Sequence, residues 1–266
     1  MKRMTKKAAL ETLKNNPAMF YGPMPEDWKK LFSVITLDTF ESVGLHWTTK
    51  HQGKMAGMVS LSTTCKCGTI CPARIAAAGN AAEMIKADPL RDDVSICGLC
   101  FSDRQQDYQK SMTLPLARNF DILNGGIINV DWLPTVNAVF VRGESFGDFS
   151  SVNAVINFWN ICRKNPLINM TAWTKNTGFF LQAVKLGYKK PVNFHLGQSS
   201  RFINRPAEVS PAAAGLVDFV FTVYTPEFAA LHGITINCGA RACLACLRCY
   251  KGYKKGDIKV INELLK

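Results

Sequence analysis

The residues of this chain best suited to chemistry are its ten cysteines, and they are clustered. Four of them fall in one short run near the end, Cys238-Gly-Ala-Arg-Ala-Cys243-Leu-Ala-Cys246-Leu-Arg-Cys249. Sulfurs packed this densely are more than core filling, and a two-residue gap lets neighbouring thiolates of one turn reach a common metal centre. A zinc ribbon keeps its two cysteine pairs farther apart. A compact loop wrapped around an iron–sulfur cluster fits the spacing better, with zinc as the alternative. A second group holds Cys71 and then Cys97-Gly-Leu-Cys100, with Cys65 and Cys67 just before it. Three thiolates on a four-iron cluster leave one iron open to a ligand, whereas four thiolates on zinc make a closed, structural site. Cys65-Lys-Cys67 could supply that fourth ligand, so both readings stand. Cys162 sits alone on the apolar side of a predicted helix and reads as a small core residue.

Two polar stretches add candidate ligand-binding groups. Val139-Phe-Val-Arg-Gly-Glu-Ser-Phe-Gly-Asp-Phe-Ser-Ser151 places Arg142, Glu144 and Asp148 directly after a hydrophobic run. Gly143 and Gly147 would let backbone approach a ligand closely, and a carboxylate there could hold an amine or a ribose hydroxyl. For Asp148 and Ser150 the competing role is helix capping. In Trp173-Thr-Lys-Asn-Thr-Gly178, Lys175 could bind a carboxylate or phosphate and Asn176 could read an amide or hydroxyl; a solvated turn with a helix cap is the alternative. His195 ends another strand and reads as a satisfied core partner. Lys251, Lys254 and Lys255 with Tyr250 and Tyr253 form a basic, aromatic patch that suits nucleic-acid contact or, more simply, a solvated terminus.

The elements that must position these groups follow a repeat. Strands are expected over 57–62, 138–141, 169–173, 192–196 and 219–224, and helices over 111–123, 152–162 and 179–186, with Pro72 to Ala87 also helix-prone. From residue 138 onward, strand starts recur 31, 23 and 27 residues apart, the spacing of βα units with parallel strands. The loops at the carboxyl ends of such strands carry sites. Here they are Cys65 to Cys71, Arg142 to Ser150, Thr174 to Gly178, Gly197 to Arg201 and Thr225 to Glu227. Spacing alone does not separate a half barrel from an open sheet. The expected organisation is an N-terminal elaboration (1–54), an α/β core (55–232) and a Cys-rich, metal-bound tail (233–266) packed on the core.

A formal charge of +12 points to a polyanionic partner, nucleic acid or a phosphate-bearing ligand. No secretion signal and no membrane-length apolar run are legible, so a cytoplasmic protein is expected, where clustered cysteines bind metal more readily than they form disulfides.

Taken in order, Cys71-Pro-Ala-Arg74, Ile96-Cys-Gly-Leu-Cys100, Arg142 through Asp148, Phe158 through Pro166, Trp173-Thr-Lys-Asn176, Phe221-Thr-Val-Tyr224 and Ile236 through Tyr250 resemble the phage "gene product 88" family. The likeness covers about residues 55 to 252 and departs from the pattern in the long insert between Cys71 and Cys97 and in the extra pair Cys65 and Cys67. It implies a phage-encoded protein in the host cytoplasm. A weaker likeness is to radical S-adenosylmethionine enzymes, which place cysteines after the first strand of a partial (βα) barrel, a Gly-Gly-Glu-like turn after the second and a Thr-Asn-Gly-like turn after the third. Arg142-Gly-Glu144 and Thr174 to Gly178 look like relatives of those turns, although the cysteine spacing departs. That likeness implies a site-differentiated cluster on Cys71, Cys97 and Cys100. It places the amino acid end of S-adenosylmethionine near Gly143, Glu144, Asp148 and Asn176, with Arg142, Glu144 and Lys175 as catalytic groups. A second cluster would occupy Cys238, Cys243, Cys246 and Cys249. The rivals are a zinc-stabilised nucleic-acid-binding protein and a host-interaction protein whose metals only staple the fold.

Overall fold

The computed structural model describes residues 44–64, 79–239, 241–251 and 257–265. Seven strands form one sheet: β1 (Trp47–Thr48), β2 (Val59–Leu61), β3 (Phe140–Gly143), β4 (Asn169–Thr174), β5 (Phe194–Ser199), β6 (Phe219–Tyr224) and β7 (Lys259–Leu264). They lie side by side in chain order. β1 runs antiparallel to β2, and every later pair is parallel. Helices alternate with the strands: α1 (Ala81–Ala87), α2 (Phe101–Tyr108), α3 (Thr113–Gly125), α4 (Val152–Lys164), α5 (Thr177–Lys185), α6 (Pro226–Leu231) and the single turn α7 (Cys243–Cys246). The predicted α/β class with parallel βα repeats is therefore observed. None of these helices is long and apolar enough to cross a membrane.

Alternation along each strand divides the sheet into two unlike faces. Val59, Leu61, Val141, Met170, Ala172, Phe194 and Leu196 point to one face and join α4 and α5 in the main core. α4 starts where Ser151 accepts the Ala154 N–H at 3.1 Å, and its residues 154–162 are all buried. An N-terminal hydroxyl cap satisfies a backbone donor that the helix itself cannot. This corrects the capping expected of Asp148 or Ser150: the hydroxyl that accepts from the helix is that of Ser151, while Ser150 donates to Asn124 and Asp148 accepts from Phe149, Thr174 and Lys175. Cys162 is fully buried in this core, as its position on the apolar side of the helix predicted. At its centre Phe149 meets Phe158, Phe180 and Phe194 edge-on, at 5.1, 4.7 and 6.4 Å between centroids.

The opposite face carries Ser60, Arg142, Thr171 and His195 in one register row. The segment 243–250 covers part of it. Leu244, Leu247 and Tyr250 pack with Met58, Val139 and Phe140, and the Thr171 hydroxyl donates to the Cys249 carbonyl at 2.7 Å. The last strand lies outside the core expected from sequence. Residues 259–264 pair along the whole of β6, and the backbone N–H groups of Asn237 and Cys238 donate to the Asn262 carbonyl at 3.1 and 3.0 Å. Much of the tail is thus part of the sheet. Most of the expected N-terminal elaboration, residues 1–43, and Cys65, Cys67 and Cys71 lie outside the described residues.

Candidate functional site

A cavity of about 1220 Å³ opens on the polar face of the sheet. Ordinary small-molecule sites span roughly 300–1,000 Å³, so this one has room for more than one bound body. Cys97, Cys100, Cys238, Cys243, Cys246 and Cys249 all line it, and so do Arg142, Glu144, Asp148, Lys175 and Asn176. Two cysteine groups far apart in sequence therefore share one chamber with the polar strand-end residues. Gly143 does not line it. A side chain there would press on Ala172 and Phe158, so this glycine serves sheet packing. Gly147 does line the cavity, but a side chain there would collide with Thr63 and Glu144, so its close approach is to protein.

The thiols are neighbours electrostatically. Cys238 feels Cys243 and Cys246, and Cys249 feels Cys238, Cys243 and Cys246. Burial pushes all three shifted thiols up, Cys238 to about 11, and Cys243 and Cys249 in the same direction. Without a metal these groups are protonated at neutral pH, and a bound metal would have to displace the protons. No disulfide joins any described cysteine. Among the described residues no three His, Cys, Asp or Glu side chains are grouped as ligands of a single metal ion.

Cations flank the sulfurs. Lys54 donates to both Glu263 oxygens at 2.7 Å. Burial pushes its pKa down, but Glu263 and the Cys238 and Cys243 thiols outweigh burial and hold it above the ordinary value. Arg142 lies over the Trp173 ring, and its Nε is buried with no hydrogen-bond partner among the described residues. Burial lowers its pKa, while Tyr250, Cys249, Cys243 and Cys238 raise it; a guanidinium stays charged regardless.

Glu144 sits immediately past β3 with φ +48°, the left-handed region that non-glycine residues rarely occupy. Its backbone N–H donates to Leu61, which locks the turn onto β2. Its buried carboxyl accepts from the Thr63 N–H at 3.0 Å and from the Thr63 hydroxyl, which both oxygens share at 3.1 and 3.0 Å. Burial pushes its pKa to about 8, against the Thr63 hydrogen bonds that lower it, and Asp148 adds to the rise. A backbone outlier that aims a proton-holding carboxyl into a cavity is the pattern of a functional site.

Asp148 is a clamp. One oxygen accepts from the Phe149 N–H at 2.7 Å and the Thr174 hydroxyl at 2.6 Å, and the other accepts from the Lys175 N–H at 3.0 Å. It joins the loop after β3 to the end of β4. Asn176 strengthens the joint by donating to the Phe149 carbonyl at 3.2 Å. Both residues border the cavity, but these hydrogen-bonding groups hold the two loops together. The Lys175 backbone is fixed by Asp148 and Arg201, with its side chain at the cavity wall.

Two sequence expectations move, and a third, the core reading of His195, stands. The Thr225 hydroxyl caps α6 by accepting from the Phe228 N–H at 3.2 Å and donates to the Pro89 carbonyl, away from the cavity. Tyr250 is buried against Phe140 and Met58, so it is no stacking platform for bases. His195 is buried, and desolvation with Lys190 and Lys259 nearby pushes its pKa to about 3, which makes it a neutral core imidazole. Sequence reasoning missed Thr63, Lys54 and Glu263, which reach the site through contacts across 81 and 209 residues. In comparisons with known proteins, no family model matches the chain, and no curated protein or solved structure is significantly similar to it.

Proposed function

We propose that this chain is a cysteine-ligated iron–sulfur protein, of the phage "gene product 88" kind, whose cavity is a radical S-adenosylmethionine-type active site. One observation carries the reading: both cysteine groups, the proton-holding Glu144 and two strand-end loops meet in a single chamber. The sequential parallel strands support a partial barrel, because singly wound βα units put helices on one face and leave the other for a site. The order of the turns also agrees. β2, β3 and β4 are the first three parallel strands, and the loops past β3 and β4 bring Glu144 and Lys175 to the cavity.

The donor chemistry suits a cluster. Soft thiolates select iron–sulfur centres, and Lys54 and Arg142 sit where they would offset the negative charge of thiolates and sulfide. Cys97 and Cys100 with Cys71 would hold the open cluster, and Cys238, Cys243, Cys246 and Cys249 the second, drawing their sulfurs together on loading. When bound, the cofactor pair supplies one-electron radical chemistry. The chain's own groups bind and orient around it. Glu144 accepts from two donors, the Thr63 N–H and the shared Thr63 hydroxyl, out of about four acceptor directions, which leaves capacity for an amine or hydroxyl. As a carboxylic acid below about pH 8 it can donate instead. Arg142 offers its remaining N–H groups to a carboxylate.

A second reading, a zinc-stabilised nucleic-acid-binding protein, is favoured by the +12 charge and the basic rim of the cavity. Anaerobic purification separates the two. The iron–sulfur reading expects a brown protein with broad sulfur-to-iron absorption near about 400 nm. A colourless protein carrying zinc would overturn it and leave the binding protein ahead.

A further inference from the structure

An ion pair outside the main core holds the first thiol of the tail run. Lys54 sits on the turn Gly53–Met55, which rests against α7, the turn that carries Cys243 and Cys246. Its ammonium donates to both oxygens of Glu263 on β7, 209 residues away, at 2.7 Å each. The Cys238 thiol donates to Oε2 of the same carboxylate across 3.9 Å. The Asn237 and Cys238 N–H groups donate to the carbonyl of Asn262, the neighbour of Glu263, which fixes this thiol to β7. Gly239, at φ +98°, turns beside the carboxylate, and a Cβ there would stand 3.5 Å from its other oxygen. Three segments distant in sequence therefore meet at one ion pair, and Lys54, Cys238 and Cys243 all line the cavity. The Lys54 and Glu263 side chains are 34% and 12% exposed, so solvent and salt screen them less than a surface pair.

We infer that Lys54 and Glu263 are the positioning pair of the tail metal centre: Glu263 holds Cys238 at β7, and Lys54 supplies the positive charge that offsets this carboxylate beside the bound centre. A divalent ion on four thiolates is a net anion, which a neighbouring cation stabilises and a neighbouring carboxylate destabilises. The same signs apply to an iron–sulfur cluster on those thiolates. The inference rests on the tail cysteines holding a metal, and is the same for a cluster and for a single ion.

The test titrates the full chain, purified metal-free under anaerobic conditions, with cobalt(II) at low salt. Sulfur-to-cobalt absorption reports ligation, and each thiol that binds releases its proton to the buffer. The part of the signal that Cys243→Ser removes belongs to the tail. Lys54→Met is expected to weaken tail binding roughly threefold to tenfold, and Glu263→Gln to tighten it by a similar factor. The double variant, with neither charge, should return to within about threefold of the wild type. Lys54→Arg, which keeps the charge, should bind as the wild type does, and so should Lys86→Gln on α1, outside the cavity. Melting temperatures are followed throughout, because a purely structural pair would give losses of the same sign in both single variants. Shifts of the same sign overturn the inference, as does unchanged affinity in both. A wild type without tail absorption overturns it too. Iron and sulfide in the reconstituted wild type test the cluster separately. Opposite shifts without iron sink the cluster assignment and keep the pair, whereas iron and sulfide with shifts of one sign sink the pair alone.

Discussion

The two faces of one sheet obey different rules. On the helix face, Val141, Met170, Ala172, Phe194 and Leu196 meet α4 and α5 in a dry aromatic core. One residue along the same strands, the other face presents Arg142, Thr171 and His195 in a row and opens onto the thiols. Burial of apolar area stabilises the first face by a few kcal/mol per large side chain. The second face holds desolvated polar and ionisable groups, which cost stability unless partnered. Residues that hold the fold and residues suited to chemistry are thus separated by the period of a strand, and substitutions on the two faces should dissociate.

The largest loss of stability is expected on the helix face. Phe180→Ala should cost about 3–5 kcal/mol, because the ring is fully buried between Phe149, Trp159 and Phe194. Chemical denaturation reads the loss, and iron per folded chain should not change. Next is the clamp between the two site loops. Asp148→Ala leaves the Phe149 and Lys175 N–H groups and the Thr174 hydroxyl without their acceptor, at about 2–3 kcal/mol. This variant should also weaken ligand binding in the cavity, which Phe180→Ala should not.

Glu144 sharpens the comparison through pH. Its carboxyl is raised from an ordinary value of 4.5 to about 8, so between those values the folded chain binds a proton that the unfolded chain has lost. Stability therefore falls as pH rises across that window and levels off above it. Below pH 6.5 the opposite slopes of His51 and His195, both held neutral by burial, interfere. From pH 6.5 to 8 the wild type should lose about 2 kcal/mol through Glu144, and Glu144→Gln should flatten that slope in pH-dependent denaturation. The smallest effect is Ser151→Ala, about 1 kcal/mol for the lost cap of α4, with no change in metal content.

Where local chemistry and global role agree, the fold was legible. β6 was expected over its full observed span because Phe-Val-Phe-Thr-Val-Tyr is a plain strand run. α4 was expected to within two residues from its apolar spacing. β7 was not, because Lys-Val-Ile-Asn-Glu-Leu gives its alternate positions to Lys259 and Glu263, which serve the cavity, where an apolar face would have revealed a strand. β5 runs on through Gly197, Gln198 and Ser199, past the point where the apolar signal stops. A side chain at Gly197 would strike the Phe219 ring, so the glycine belongs to the packing between β5 and β6. α2 is mostly polar and gave no periodic signal. In the site, cysteine spacing and the Arg142 to Asp148 stretch pointed to the residues that share the cavity. Sequence could not reveal that Thr63 holds the Glu144 carboxyl or that Lys54 pairs with Glu263, since long-range partners leave no local trace. Nor could it separate clamp from ligand at Asp148 and Asn176, where the same polar atoms serve either purpose.

The central claim, that the cavity thiols hold iron and sulfide, is tested most directly by quantifying both elements in the anaerobically reconstituted chain and in a Cys243→Ser, Cys246→Ser double variant. The account predicts iron and acid-labile sulfide in near-equal amounts in the wild type. In the variant it predicts roughly half of each, because one of two clusters is lost. Iron content that is negligible in the wild type, or identical in the two proteins, contradicts it.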